Sequence, residues 1–202
     1  MKKRKAKESR KTRETNINLL LNLDGQGKAK IKTGIGFLDH LLELFSFHAL
    51  IDLEISAKGD FTVDIHHTNE DIGLVLGDAI AKALQDKKGI RRFGFFSVPM
   101  EDVLGTAVID ICGRSYFSGI KFQNLATEPK ENSGYTLTYA NHFFESLSKK
   151  AGINLHLKIE GNNPDLHANL EPLFKAFGVA LLQAVTVEPR RKGVPSTKGI
   201  ID

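Results

Sequence analysis

The chain repeats itself at a spacing of 101 to 102 residues, and any fold it adopts must accommodate that duplication. The stretch Asp52 to Asp60 aligns with Asn154 to Asn162. Both alternate apolar and polar residues and end at a glycine turn, the pattern of a half-buried strand. Asp39 to Glu43 aligns with Asn141 to Glu145, each opening an apolar-periodic stretch that reads as a helix. Glu70 to Gly77 aligns with Glu171 to Gly178 at the head of a second amphipathic helix. A unit of strands, helix, strand and helix, present twice, predicts an α+β fold of internally duplicated halves, each a small mixed sheet with two helices on one face. The halves are placed at 13–92 and 93–188, between a basic disordered arm at 1–12 and a C-terminal loop at 189–202. Neither half is expected to be independent, so the whole is one compact unit. Further strands are expected at Thr15 to Leu23, Thr62 to Ile65 and Thr106 to Ile111.

Charge narrows the possible partners. The formal net charge is +4, yet residues 1 to 13 alone carry +7, which leaves the remainder at −3. With an acidic body and no aromatic-basic motif, nucleic-acid binding is not expected. No apolar run reaches the ~18 residues of a membrane span, and no apolar h-region follows the basic start, so a cytoplasmic protein is expected. Cys112 is the single cysteine, which forbids an internal disulfide.

Five of the seven histidines, His40, His66, His67, His142 and His167, occupy repeat-related positions. His66 and Glu70, at i and i+4 of a helix, project on one face and can share a cation, and His167 with Glu171 repeats the spacing. His67 is rotated about 100° from His66, so the adjacent pair suits two ions better than one. Imidazole with carboxylate favours Mn, Zn, Fe or Ni over Ca or Mg. His48 and His156 lack histidine counterparts and read as ordinary structural residues. Three segments place Arg, Lys or Ser beside glycine, where backbone can approach an anion: Gly89–Gly94, Cys112–Ser115 and Pro195–Gly199.

Thr33–His40, His66–Asp71, Arg91–Gly94, Phe174–Ala176 and Val194–Gly199 together resemble the imidazoleglycerol-phosphate dehydratase family of histidine biosynthesis, from about Arg10 to the C-terminus. The resemblance implies a duplicated fold of the ribosomal protein S5 domain 2-like type. It also implies a homo-oligomeric shell of 24 subunits, with two Mn ions per active site at subunit interfaces. The implied reaction converts imidazoleglycerol phosphate to imidazole acetol phosphate plus water. The metal ligands it implies are His40, His66, His67, Glu70, His142, His167 and Glu171, of which His40, Glu70 and Glu171 also count as catalytic. It implies phosphate contacts at Arg92, Arg114, Lys175, Ser196 and Lys198, and an acid/base at Glu14. The proton to be removed sits on a carbon with no adjacent carbonyl, so cations on the substrate imidazole are needed as an electron sink.

The chain departs from the family pattern at Ala168, where a second histidine is expected after His167, and at Ile65 and Asn141, where carboxylates are expected. These predict one weak metal site, with losses around the ligands that loosen their orientation. They also define an alternative, a diverged paralogue that keeps the shell and one metal but little activity. Because Pro172 lacks an N–H, its helix is expected to begin no earlier than about Ala168, leaving His167 in a cap.

Overall fold

A computed structural model describes residues 3–123, 129–161 and 163–201. Expectations touching residues 1, 2, 162 and 202 lie outside the described residues. The first half runs β1 (Lys5–Lys11), β2 (Thr15–Asn22), β3 (Ala29–Lys32), α1 (Gly36–Ala49), β4 (Asp52–Gly59) and α2 (His66–Leu84). The second half follows the same order with its third strand in two pieces: β5 (Phe93–Met100), β6 (Val103–Asp110), β7 (Tyr116–Phe117), β8 (Lys121–Gln123), α3 (Leu137–Ala151), β9 (Asn154–Glu160) and α4 (Leu166–Val185). The sheets are ordered β1-β2-β4-β3 and β5-β6-β9-β7, with β8 also on β9. In each, the first three strands of that order are antiparallel and the short strand joins in parallel, so both sheets are mixed as expected.

The inward faces follow from strict alternation. On β2, Thr15, Ile17, Leu19 and Leu21 are buried and their neighbours are not. α2 covers β1 and β2, and α4 covers β5 and β6. The helices then pair across the halves, α1 on α4 and α2 on α3, which is why neither half buries its apolar surface alone. Phe45 of α1 stacks on Phe177 of α4 with centroids 5.0 Å apart. Glycine permits the close approach at repeat-equivalent points. A Cβ on Gly77 would lie 2.5 Å from the Leu147 carbonyl oxygen of α3, and one on Gly178 would lie 2.8 Å from that of Phe45.

Three expectations are corrected. Lys5–Lys11 is not a disordered arm but an edge strand paired along its length with β2. Its inward polar groups meet partners on α2: Lys82 donates to Glu8 at 2.5 Å and Arg10 donates to Asp71 at 2.6 Å. Thr62–Ile65 is not a strand. Val63 N–H turns back to the Asp60 carbonyl at 2.8 Å, and the chain passes directly into α2. Finally, α4 begins at Leu166, ahead of Pro172. Asp165 caps it by accepting the His167 N–H at 2.9 Å, and Asn169 Nδ2 ties its first turn to the Asn163 and Asp165 carbonyls. These bonds, with burial of Leu166, Leu170 and Leu173, offset the one backbone bond that proline removes. His167 therefore sits within the first turn of the helix.

Candidate active site

An aspartate two residues upstream accepts the backbone N–H of the first histidine in both halves. Asp64 accepts the His66 N–H at 2.7 Å, as Asp165 does for His167. Each histidine then projects along its helix onto the carboxylate four residues later: His66 Nε2 lies 3.4 Å from Glu70 Oε2, and His167 Nε2 lies 2.7 Å from Glu171 Oε2.

Cross-pairing of the helices supplies the third member of each cluster from the other half. α1 brings His40 Nε2 to 3.1 Å from Glu171 Oε2, the oxygen that His167 also reaches. α3 brings His142 Nδ1 to 3.3 Å from His66 Nδ1. In the α1/α4 cluster the ligand atoms of His40, His167 and Glu171 all lie within 4.8 Å of one another, a closed triangle of two nitrogens and one oxygen that fits a divalent transition metal. In the α2/α3 cluster His66 faces Glu70 with one nitrogen and His142 with the other, so its three donors form a chain rather than a triangle.

Burial pushes the Glu171 carboxyl up, but hydrogen bonds from Lys175, His40 and His167 outweigh it and hold the group down at about 2. Lys175 donates to Glu171 Oε1 at 2.5 Å, leaving Oε2 to the imidazoles. His48, on α1, is held below the usual imidazole range by burial and by the Lys175 charge.

His67 joins a separate group: its ligand atom and those of Glu14 and Asp60 all lie within 4.8 Å of one another. Its Nδ1 lies 3.0 Å from Asp60 Oδ2 and 3.8 Å from Glu14 Oε2, in the turn between β1 and β2. The Asp60 hydrogen bond, with the charges of Glu14 and Asp64, holds the His67 imidazolium above its ordinary range. Because Asp60 occupies Nδ1, Nε2 is the nitrogen left to serve as a ligand. Sequence reasoning missed Asp60; its position after a glycine turn that bends back to the helix start was the available signal.

Asn141 is not a weakened support for His142. It accepts the Ile120 N–H at 2.8 Å and donates to the Leu137 carbonyl at 3.0 Å, so it ties α3 to the link between β7 and β8. Its counterpart Asp39 likewise accepts the Thr33 N–H, at 3.0 Å.

The family model for imidazoleglycerol-phosphate dehydratase matches residues 33–181. The chain belongs to the imidazoleglycerol-phosphate dehydratase family. Dehydratases of this name from Lachnoclostridium phytofermentans and Methanocella arvoryzae are 50% and 46% identical to it, each over 98% of this chain and 99% and 100% of their own lengths. The imidazoleglycerol-phosphate dehydratase structure from Staphylococcus aureus superposes with a TM-score of 0.78 at 32% identity, covering 91% of this chain and 99% of that one. That from Pyrococcus furiosus gives 0.79 at 30%, covering 96% and 99%.

As in any member of an imidazoleglycerol-phosphate dehydratase family, a phosphate must be held somewhere, and the expected anion contacts fall into two places. Arg92 makes a two-point contact with Asp110, Nε at 2.6 Å and Nη2 at 3.0 Å, and Nη1 donates to the Pro195 carbonyl at 3.1 Å. That contact draws the tail in, where Ser196 Oγ accepts the Lys198 N–H at 3.2 Å. Arg114 follows on the neighbouring segment, its carbonyl accepting from Cys112 Sγ at 3.2 Å. Arg92 and the tail gather beside the C-terminal end of α4, where Arg92 N–H reaches the Ala184 carbonyl. His167 is near the other end of α4, about 25 Å away at 1.5 Å per residue. Lys175 alone lies with the metal-type ligands, so the chain does not bring it together with the other anion contacts.

Proposed function

We infer that the protein is a hydro-lyase of histidine biosynthesis, converting imidazoleglycerol phosphate to imidazole acetol phosphate and water. The observation that carries this reading is membership of the family across nearly the whole chain, joined to clusters built from the residues its chemistry requires.

Metal ions, when bound, supply the positive charge that turns the substrate imidazole into an electron sink. His40, His167 and Glu171 would hold one and His66 with Glu70 the other, His142 lying on the opposite nitrogen of His66. His67, presenting Nε2, would add a donor to an ion it does not reach within its own chain. We take the metal to be Mn, two per active site. The Ala168 side chain offers no donor where the first half offers His67, so the α2/α3 ion is the weaker. Glu14, on its turn beside His67, would carry the proton between carbon and solvent. Arg92, Arg114, Ser196 and Lys198 would bind the phosphate and fix the ring, while Lys175 serves chiefly to orient Glu171.

The separation of the two ends of α4 supports active sites that form between copies in a closed shell of 24. So do the exposed Phe93, Phe95, Val108 and Tyr116 on the outer face of the second sheet. Among the described residues no helix is long and apolar enough to cross a membrane, and a cytoplasmic location suits a biosynthetic enzyme.

The test is dehydration of imidazoleglycerol phosphate measured together with metal content per subunit. Turnover that is lost on chelation and restored by Mn is expected. Its absence at full metal content would leave only the inactive-paralogue reading.

A further inference from the structure

Glu14 sits at the tip of a tight turn, where a carboxylate is ordinarily free to wander. The last register pair of the hairpin is Lys11 with Asn16, and Thr12 closes the turn by accepting the N–H groups of Glu14 at 3.1 Å and Thr15 at 2.9 Å. That fixes the turn's shape but not its place relative to α2, which carries His67. The fixing is done by Asp71. His67 and Asp71 are one turn apart on the same face of α2. One meets Glu14, and the other meets the residues on either side of the turn: Asp71 Oδ1 accepts from Arg10 Nε of β1 at 2.6 Å, and Oδ2 accepts from Thr15 Oγ1 of β2 at 2.5 Å. Both oxygens are used, one by each strand, and the Asp71 side chain is only 10% exposed.

We propose that Asp71, clamped between Arg10 and Thr15, is a positioning residue that holds Glu14 in register with His67. The proposal rests on the reading of Glu14 as the acid/base. Without Arg10 the buried carboxylate would be uncompensated, and the hairpin end would shift to let water reach it. A shift of about 1 Å at a reacting group is enough to cost on the order of 100-fold in rate. The clamping side chains Arg10, Thr15 and Asp71 belong to neither the His40/His167/Glu171 group nor the Glu14/Asp60/His67 group, so their loss should leave the ligands of the first group and phosphate recognition intact.

The experiment compares kcat, KM and metal per subunit for Arg10→Ala, Arg10→Lys and Thr15→Val, each in the wild-type and Glu14→Gln backgrounds. Thr15→Val keeps the shape and removes only the hydroxyl, which guards against a variant that merely fails to fold. The expected result is a kcat loss of about 10- to 100-fold for Arg10→Ala and Thr15→Val. KM and metal content should be unchanged, and Arg10→Lys should recover most of the rate. In the Glu14→Gln background the same substitutions should cost little more, because they act through a group already removed. Wild-type kcat in Arg10→Ala would overturn the proposal, and so would an equal loss in both backgrounds, which would mark a general structural effect. Wild-type kcat in Glu14→Gln alone would instead overturn the acid/base assignment beneath it.

Discussion

Glu70 is the carboxylate that His66 reaches in the α2/α3 cluster, and Ala168 supplies nothing toward a fourth ligand. Glu70→Ala should therefore empty that site while sparing the α1/α4 cluster. Elemental analysis should show metal per subunit falling by about half, with activity lost, since an imidazole stripped of its carboxylate partner holds a divalent ion poorly. A metal content equal to wild type would contradict the assignment. Conversely, metal titration of apo Ala168→His against apo wild type should show the weaker site tightening by at least ~10-fold, the scale of losing even an indirect ligand contact. Two equally tight sites in the wild type would refute it. At this scale the sequence was informative where geometry is local. The pairs His66/Glu70 and His167/Glu171 follow from helical spacing alone. The pairing of His40 with Glu171 and of His142 with His66 does not, because it depends on each helix packing against the opposite half. Asp60 and Asp71 were missed because each acts on a group distant in sequence or across a turn.

The elements depend on contacts that tolerate no added atom and on carboxylates that organise turns. Gly77→Ala places a methyl 2.5 Å from the Leu147 carbonyl oxygen, and neither backbone can move without separating α2 from α3. A loss of about 1–3 kcal/mol is expected in urea unfolding, as for overpacked cores. A wild-type midpoint would show that the helices can slide. Asp52 opens β4 and organises the loop between β2 and β3, accepting from Gln26 N–H at 2.8 Å, Lys28 N–H at 3.3 Å and Asn22 Nδ2 at 3.0 Å. Those bonds, the Gln26 amide foremost, hold its carboxyl below the usual range. A depressed folded pKa stabilises above the unfolded value of ~3.9, and that stability is lost as pH falls through the folded value. The stability gap between wild type and Asp52→Asn should thus be constant near neutrality and shrink below about pH 4. A gap independent of pH would argue against the charge. Helices and central strands were legible because their apolar periods are clean. β1 was not, because its inward face is written in Glu8 and Arg10 rather than in apolar residues, and a binary pattern cannot see charges that find partners on α2. The start of α4 was misjudged because the proline penalty is one bond, whereas the capping by Asp165 and Asn169 is invisible until the loop is placed.

At the scale of the molecule, a single chain holds metal-type ligands at one end of α4 and the expected anion contacts Arg92, Ser196 and Lys198 toward the other, some 25 Å apart by helix rise. A substrate that bridges an imidazole and a phosphate through a three-carbon chain cannot span that distance. On the function proposed above, a working site would take the metal end of one copy and the anion end of another, a heterologous contact. This makes complementation the decisive measurement. Glu171→Gln disables the metal end and leaves the tail intact. Ser196→Ala with Lys198→Ala disables the tail and leaves the metal end intact. Each protein alone should be nearly inactive at substrate concentrations below KM. Assembled together from equal amounts, random placement should give about a quarter of the sites one intact end from each parent. Activity should then recover to about that fraction of wild type, and only when the two are mixed before assembly rather than after. If both ends of a site came from one chain, no mixture could exceed the average of its parents, and a result at that average would show that the chain closes on its own tail.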